Sequence, residues 1–409
     1  MRNTLELMLP VGSWESLAAA LQTKCDAIYF GVGNLNMRSQ SSANFSLGDL
    51  EQIVAACREK GVKAYLTLNT IVYDCDMPVL YETADAALRC GIDAVIASDM
   101  AAILYARQIG LNVHASTQLN IGNCETVRFF AQYCDVMVLA RELNLEQVAE
   151  INKFIQENNI TGPSGRLVVI EMFCHGALCM AVSGKCYLSL HEYDRSANRG
   201  ACVQICRRSY SVVDNETGRQ LSVDNPYIIS PKDLCTIGFI DKMIGAGVRI
   251  FKVEGRARGP EYVKTVGDVY NEALCNETFD ASKISEWTAK LKTVFNRDFW
   301  DGYYLGKTVA ELNDAHGSKA TRRKEYIALC SNYFTKLGVG EFQMQSGTLS
   351  VGDQILIIGQ TTGVVEMTVS EIRVNLKPVQ QTVKGDAFSI PLPQLIRRSD
   401  KIYKWVEIT

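Results

Sequence analysis

From Glu6 to Val253 the chain alternates short, almost wholly apolar runs with longer stretches whose apolar positions recur every three or four residues. The short runs are Glu6–Val11, Ala27–Val32, Ala64–Asn69, Ala94–Ser98, Val113–Gln118, Val136–Arg141 and Leu167–Phe173. Their length and apolar character predict strands buried on both faces. Between them Trp14–Gln22, Leu47–Lys60, Pro78–Arg89, Ala101–Gln108, Glu125–Tyr133 and Leu145–Gln156 read as amphipathic helices. An eighth strand, Arg249–Val253, follows the helical stretch Ile237–Ile244. Eight such units predict an α/β fold, a (β/α)8 TIM-like barrel, with an open doubly wound sheet as the alternative.

After the eighth strand, Glu261–Cys275 and Ala281–Phe295 read as helices, and residues 304–320 as a linker. Beyond it the texture changes. Tyr326–Leu329, Val339–Met344, Gln354–Ile358, Val364–Ile372 and Ala387–Ile390 are short strands parted by Gly, Asp and Lys turns, which predicts a small all-β barrel over 321–409. The run Gly347-Thr-Leu-Ser-Val-Gly-Asp-Gln-Ile-Leu-Ile resembles the second domain of translation elongation factors. The expected organisation is therefore 1–303 for the first barrel, then the linker, then the β-domain, open to RNA contact.

Composition narrows the setting. No run of about eighteen uncharged apolar residues is present, so no bilayer span is expected. The opening residues are too short and acidic for a signal peptide, which predicts a cytoplasmic protein. From Thr321 onward there are 11 basic and 8 acidic residues, a balance of +3 that leaves −6 for the rest of a chain of −3. Such a balance does not support broad phosphate binding, and leaves only a local patch (Arg322, Arg323, Lys324, Arg397, Arg398, Lys401, Lys404) as a candidate. Fourteen cysteines in a reducing compartment point to ligation or thiol chemistry rather than disulfides. Cys25, Cys57, Cys90, Cys134 and Cys330 lie in apolar surroundings and read as small core residues. Cys174, Cys179, Cys186, Cys202 and Cys206 crowd one segment.

Sites on barrels of this kind lie at the carboxyl ends of the strands. Those ends carry Asn69, Ser98-Asp99, His114 to Gln118, Arg141-Glu142, Glu171 with His175, and Glu254-Gly-Arg256, with Arg38 following the second strand. Polar groups ending six apolar strands predict a lined pocket. An insertion of about 174–235 between the last two strands holds the cysteine cluster and Arg195, Arg199, Arg207 and Arg208. Thiolates suit zinc or an iron–sulfur cluster, but only Cys202-x-x-x-Cys206 has knuckle spacing. Cluster, zinc and no metal all stay open on the residues alone. A nucleophilic Cys174 or Cys179 beside His175 is a further reading, opposed by strand geometry, which points neighbours to opposite faces.

The stretch Glu171-x-Phe173-x-x-Gly176-Ala177-Leu178-Cys179-x4-Gly184-x-Cys186-x-Leu188-Ser189 resembles the signature of the collagenase-like peptidase family. Asn198-Arg-Gly-Ala-Cys-Val-Gln-Ile-Cys-Arg207, Ser230-Pro-Lys-Asp-Leu-Cys235 and Lys252-Val-Glu-Gly-Arg256 resemble its other blocks. Despite its name, the resemblance implies oxygen-independent hydroxylation, since family members hydroxylate RNA or the ubiquinone ring. The β-domain favours the RNA branch: hydroxylation of the wobble uridine of tRNA to 5-hydroxyuridine, with prephenate as hydroxyl source. Peptidase activity and a non-catalytic RNA-binding accessory role are the alternatives. The resemblance implies a [4Fe–4S] cluster on Cys179, Cys186, Cys202 and Cys235, with Cys206 as alternative ligand. It leads us to expect proton transfer by Glu171, His175 and Glu254. Arg38, Arg141, Arg199 and Arg256 would hold a small dicarboxylate co-substrate, unless each forms a structural salt bridge with Glu142 or Glu254, and Asn69, His114 and Gln118 would complete the substrate site. The partner would be tRNA or another structured RNA.

Overall fold

The computed structural model describes residues 4–40, 43–221, 225–276 and 278–408. Eight parallel strands close into a barrel: β1 (Glu6–Pro10), β2 (Ala27–Phe30), β3 (Lys63–Leu68), β4 (Ala94–Ala97), β5 (Val113–Ala115), β6 (Val136–Val138), β7 (Val169–Ala177) and, after a long excursion, β11 (Val248–Val253). Each pairs with the next, and β11 pairs with both β7 and β1, which closes the ring. Helices α1 (Trp14–Gln22), α2 (Leu50–Glu59), α3 (Met77–Cys90), α4 (Met100–Gln108), α5 (Cys124–Phe130) and α6 (Leu145–Glu157) run between the strands. Predicted strands five and six are shorter than expected. After Ala115 the chain turns through Thr117–Leu119 and reverses at Asn120, whose φ of 53° ends any extended run.

Side chains in a barrel strand alternate between the interior and the helices. Met8, Ala27, Tyr29, Tyr65, Ala94, Ile96, Val136 and Ile250 fill the interior. Their strand neighbours Leu7, Leu9, Ile28, Phe30 and Phe251 pack into the much larger core beneath the helices. Cys25, Cys57 and Cys134 are buried in that outer core, and Cys90 is half-buried against it.

Beyond β7 the chain builds a lid from α7 (Leu188–Tyr193), single turns at Ala197–Arg199 and Ile205–Arg207, the hairpin β8 (Val212–Val213) and β9 (Gln220–Leu221), and β10 (Asp233–Cys235). Strand β10 runs antiparallel to the overhanging end of β7, matching Cys235 with His175, so the barrel wall continues into the lid. The chain then forms α8 (Ile240–Gly245), and after β11 it forms α9 (Pro260–Cys275), α10 (Ala281–Lys292) and β12 (Phe299–Trp300). Residues 304–320 pack on the barrel: Tyr304 is buried and donates its hydroxyl to the Phe173 carbonyl at 2.9 Å.

The remaining strands are antiparallel: β13 (Arg322–Phe334), β14 (Val339–Met344), β15 (Thr348–Ser350), β16 (Gln354–Gly359), β17 (Gly363–Thr368), β18 (Ile372–Val374), β19 (Lys377–Val379), β20 (Gln381–Val383), β21 (Ala387–Pro391) and β22 (Lys401–Glu407). Eight form one sheet, and β15 and β20 form a second. A core of their own, centred on stacked Phe342 and Phe388, fills the space within. This unit leans on α1, where Ala19 packs with Leu356, Ile358, Val364 and Trp405. The Gln22 amide bridges the Thr362 carbonyl (2.8 Å) and the Val364 N–H (2.9 Å).

Candidate active site

The carboxyl end of the barrel opens into a cleft that the lid partly roofs. Its floor is the topmost inward layer: Tyr29, Thr67, Ile96, Phe173 and Lys252. Its walls are Arg38, Asn69, Ser116, Gln118, Arg141, Glu254, Arg256 and Arg258, and the lid adds Cys179, Gly184, Cys202, Cys206 and Arg207. Gly184 adopts φ +73° with the Gln118 side chain pressed against it, and a Cβ there would lie 2.6 Å from Gln118 Cγ. The lid therefore touches the barrel at this point.

Charge sets the character of the cleft. Arg38, Arg141, Arg207, Lys252, Arg256, Arg258 and Arg297 line it, against one carboxylate, Glu254, among the described residues. Arg38 pairs with Glu254 at 2.7 Å, and Lys252 pairs at 2.7 Å with Glu171, one layer deeper. Burial alone would push the Glu254 carboxyl up, but Arg38, Arg141 and Arg256 outweigh it and hold it at about 2. Tyr29 donates its hydroxyl to Glu254 Oε2 at 3.2 Å and to the Val253 carbonyl at 2.9 Å. Arg256 donates to Asn36 Oδ1 (3.1 Å) and Thr67 Oγ1 (2.8 Å), and burial pulls its guanidinium down to about 10. Arg141 lies 3.8 Å over the Phe173 ring and donates to the Ala177 carbonyl at 3.1 Å. The Nε of both Arg141 and Arg256 is buried without a hydrogen-bond partner among the described residues. A cleft with this surplus of guanidinium groups suits a ligand carrying carboxylate or phosphate.

Of the residues singled out from the sequence, Arg38, Asn69, Gln118, Arg141, Glu254 and Arg256 meet in the cleft. Asn69 donates to Gln118 Oε1 (3.3 Å) and Ser116 Oγ (3.4 Å), forming an amide shelf. Glu171 is not at the mouth. It is fully buried in the barrel interior, 3.6 Å from His114 Nδ1. His114 stacks on Tyr65 and faces the opposite, amino-terminal end of the barrel. Arg199 is likewise elsewhere: it grips Asp76 with both terminal nitrogens (2.6 and 3.1 Å) and covers Tyr73, pinning the lid to the segment before α3.

His175 departs furthest from its expected place. Simple alternation from Glu171 and Phe173 would aim it inward. Phe173 matches Lys252 and His175 matches Val253, so β7 carries one extra residue at Cys174. Such a bulge reverses which face the next side chain takes. His175 therefore lies outside the barrel among Tyr262, Tyr270 and Phe299. Burial there, reinforced by Arg258, lowers it to about 3. A histidine held neutral in this way costs stability as pH falls from its free value near 6.5 towards 3, because only the unfolded chain takes up the proton. Denaturant unfolding should lose about 1.4 kcal/mol per pH unit through that window, and His175→Phe should flatten the slope. An unchanged slope would place His175 in contact with water.

The thiols divide into two groups. Burial raises Cys186, and Cys179 and Cys202 raise it further. Burial also raises Cys206, against Arg207, with Cys179, Cys202 and Cys186 adding to the rise. These four lid cysteines are thus electrostatic neighbours. Cys235 is apart from them, 3.9 Å from the Tyr270 hydroxyl and close to Cys174. Cys179, Cys202 and Cys206 line the mouth, and Cys235 lies on β10. Among the described residues no group of three or more His, Cys, Asp or Glu side chains is drawn together closely enough to hold a metal ion. Cys179, Cys202 and Cys206 on the lining of the mouth are nonetheless thiols, the donor type that an iron–sulfur cluster takes. Cys174 does not meet His175: its thiol donates to the Lys252 carbonyl (3.4 Å), and burial pushes it well above the ordinary thiol range.

The profile of peptidase family U32 matches residues 12–314. The chain belongs to peptidase family U32. It is 55% identical over 406 residues to a protein named collagenase from Porphyromonas gingivalis W83, covering 98% of each chain. It is 30% identical over 366 residues to tRNA hydroxylation protein P1 of Bacillus subtilis, covering 87% of this chain and 83% of that one. It is 36% identical over 343 residues to the 23S rRNA 5-hydroxycytidine C2501 synthase of Escherichia coli K12, covering 83% of this chain and 49% of that longer protein. In this U32 chain, sequence reasoning missed Tyr29, Lys252, Arg258 and Arg297 as lining residues, whereas Arg207 of the insertion does reach the mouth. Lys252 had a signal, since it stands two residues before Glu254 on one strand and must share its face. Among the described residues no helix is long and apolar enough to cross a membrane.

Proposed function

We propose that the protein is an oxygen-independent RNA hydroxylase that converts the wobble uridine of tRNA to 5-hydroxyuridine, with prephenate as hydroxyl source and a [4Fe–4S] cluster on the lid. The observation that carries this reading is the guanidinium-rich mouth, which among the described residues has no histidine on its lining. A thiol or hydroxyl nucleophile of a peptidase needs an adjacent base. Among the described residues no imidazole lines the mouth itself: His114 and His175 are held elsewhere, and His316 lines the adjoining cleft. The hydroxylation relatives, on tRNA and on 23S rRNA, point to a pyrimidine in RNA.

Arg141 and Arg256, with unpartnered Nε groups, would hold the carboxylates of the donor. The Asn69–Gln118 shelf would meet the edge of the base with amide donors and acceptors. Glu254, ionised because of its three arginines, can accept a proton at neutral pH but has none to give. Cys179, Cys186, Cys202 and Cys206 would hold the cluster, which when bound supplies one-electron chemistry at the rim. Mass spectrometry of tRNA nucleosides from a deletion strain should show loss of the hydroxyuridine-type modification, restored by the wild-type gene but not by Arg256→Met. Unchanged nucleosides together with lost gelatin or peptide cleavage would reverse the reading in favour of a peptidase.

A further inference from the structure

Beside the mouth lies a second cleft, with Arg207, Arg208, Arg258, Arg297 and His316 on its lining and no carboxylate among the described residues there. It shares Cys202, Gln204, Arg207, Arg258 and Arg297 with the mouth, so the two form one continuous channel over the lid edge. Most of these cations are already engaged. Arg297 is held by Asp233 (3.5 Å) and Gln204 (3.3 Å), and Arg207 by Ser230 and by the carbonyls of Leu178 and Pro231. Arg208 donates to the Tyr193 hydroxyl and reaches solvent.

Arg258 differs. Its guanidinium makes no hydrogen bond or ion pair among the described residues and lies 3.5 Å over the Phe295 ring, at the junction of the two clefts. Burial draws its pKa downward, with Asp233 opposing and Arg297 reinforcing. A half-enclosed guanidinium without an anion is costly to hold. Stacking fixes its plane and leaves its donor edge free, the arrangement that takes a phosphate. Asn313, on the same lining, has a buried Oδ1 without a partner.

We propose that the second cleft is a phosphodiester site, binding the RNA backbone phosphate next to the nucleotide whose base enters the mouth, with Arg258 as the principal ligand and Arg208 at its outer edge. This rests on the RNA reading above and deepens it. Binding of hexauridylate, followed by fluorescence anisotropy over a range of salt, tests it. Arg258→Gln and Arg208→Gln should each weaken binding about tenfold and flatten the slope of log K against log salt by about 0.7 per lost phosphate contact. Arg258→Lys should keep the slope with part of the affinity. A hexauridylate series with one neutral methylphosphonate should lose affinity for wild type at one position and lose nothing further with Arg258→Gln. Melting temperatures check that the variants fold. Wild type that ignores hexauridylate would sink the RNA reading and this site together. Variants that keep the full affinity and slope would sink this site alone. Inorganic phosphate that binds as tightly as the oligonucleotide would reassign the cleft to a free phosphate.

Discussion

Replacing Lys252 by Met should cost the barrel about 3–5 kcal/mol, the usual penalty for leaving one member of a buried ion pair uncompensated. Glu171 is fully buried, and Lys252 is its only salt-bridge partner among the described Lys and Arg side chains. Burial pushes the Glu171 carboxyl up, but Lys252, followed by His114, brings it below its ordinary value. A carboxyl lowered by folding contributes stability that is present above its free value, near 4.3, and is lost as pH falls further. Without Lys252 the balance reverses and burial dominates. The loss in Lys252→Met should therefore be large at pH 8 and shrink towards pH 5, as Glu171 takes a proton and becomes neutral. Glu171→Gln combined with Lys252→Met should recover most of the stability, since no buried charge is left. Denaturant unfolding of the barrel transition at the two pH values measures all three. A loss below about 1 kcal/mol at pH 8 would mean that water reaches the pair. Lys252 also lies 4.6 Å from the Tyr29 ring and lines the mouth, so activity should fall with stability in the single variant.

The same pair shows what the sequence could and could not disclose. Two-residue alternation along Glu171-Met-Phe173 and Lys252-Val-Glu254 places these side chains inside the barrel, and apolar runs between amphipathic helices were enough to predict the barrel itself. Depth was not legible. Whether an inward residue reaches the mouth depends on the stagger of its strand against its neighbours, which no single strand encodes. Glu171 and His114 thus lie below the mouth although both stand near strand ends. His175 was beyond reach for a different reason. One bulged residue, Cys174, reverses the alternation, and nothing local in the sequence marks it. Arg258 and Arg297 were missed because they follow the last barrel strand and come together only when the lid, α9 and β12 pack against one another. The small residues that permit these approaches are clearer in retrospect. Gly176, at φ +104°, lets β7 pass the Glu254 carbonyl, which a Cβ would meet at 2.3 Å.

The sharpest test of the lid is the choice between Cys206 and Cys235. The family resemblance implied Cys235, which falls where the fourth ligand is expected after Cys179, Cys186 and Cys202, with Cys206 as the alternative. In space Cys235 is on β10, paired with β7, and its thiol is raised to about 11, chiefly by burial beside Tyr270. A cluster ligand must be a thiolate, and Cys206 shares the lining of the mouth with Cys179 and Cys202. Anaerobically reconstituted wild type should be brown and carry about four irons, as a [4Fe–4S] cluster requires. Cys206→Ala should lose most of that iron, its visible absorbance and RNA hydroxylation, with little change in melting temperature. Cys235→Ala should keep iron and colour, and lose only the packing of a small buried side chain. The reverse result, iron lost with Cys235→Ala and kept with Cys206→Ala, would make Cys235 the fourth ligand. Wild type that stays colourless and free of iron after reconstitution would remove the cluster from the proposed function altogether.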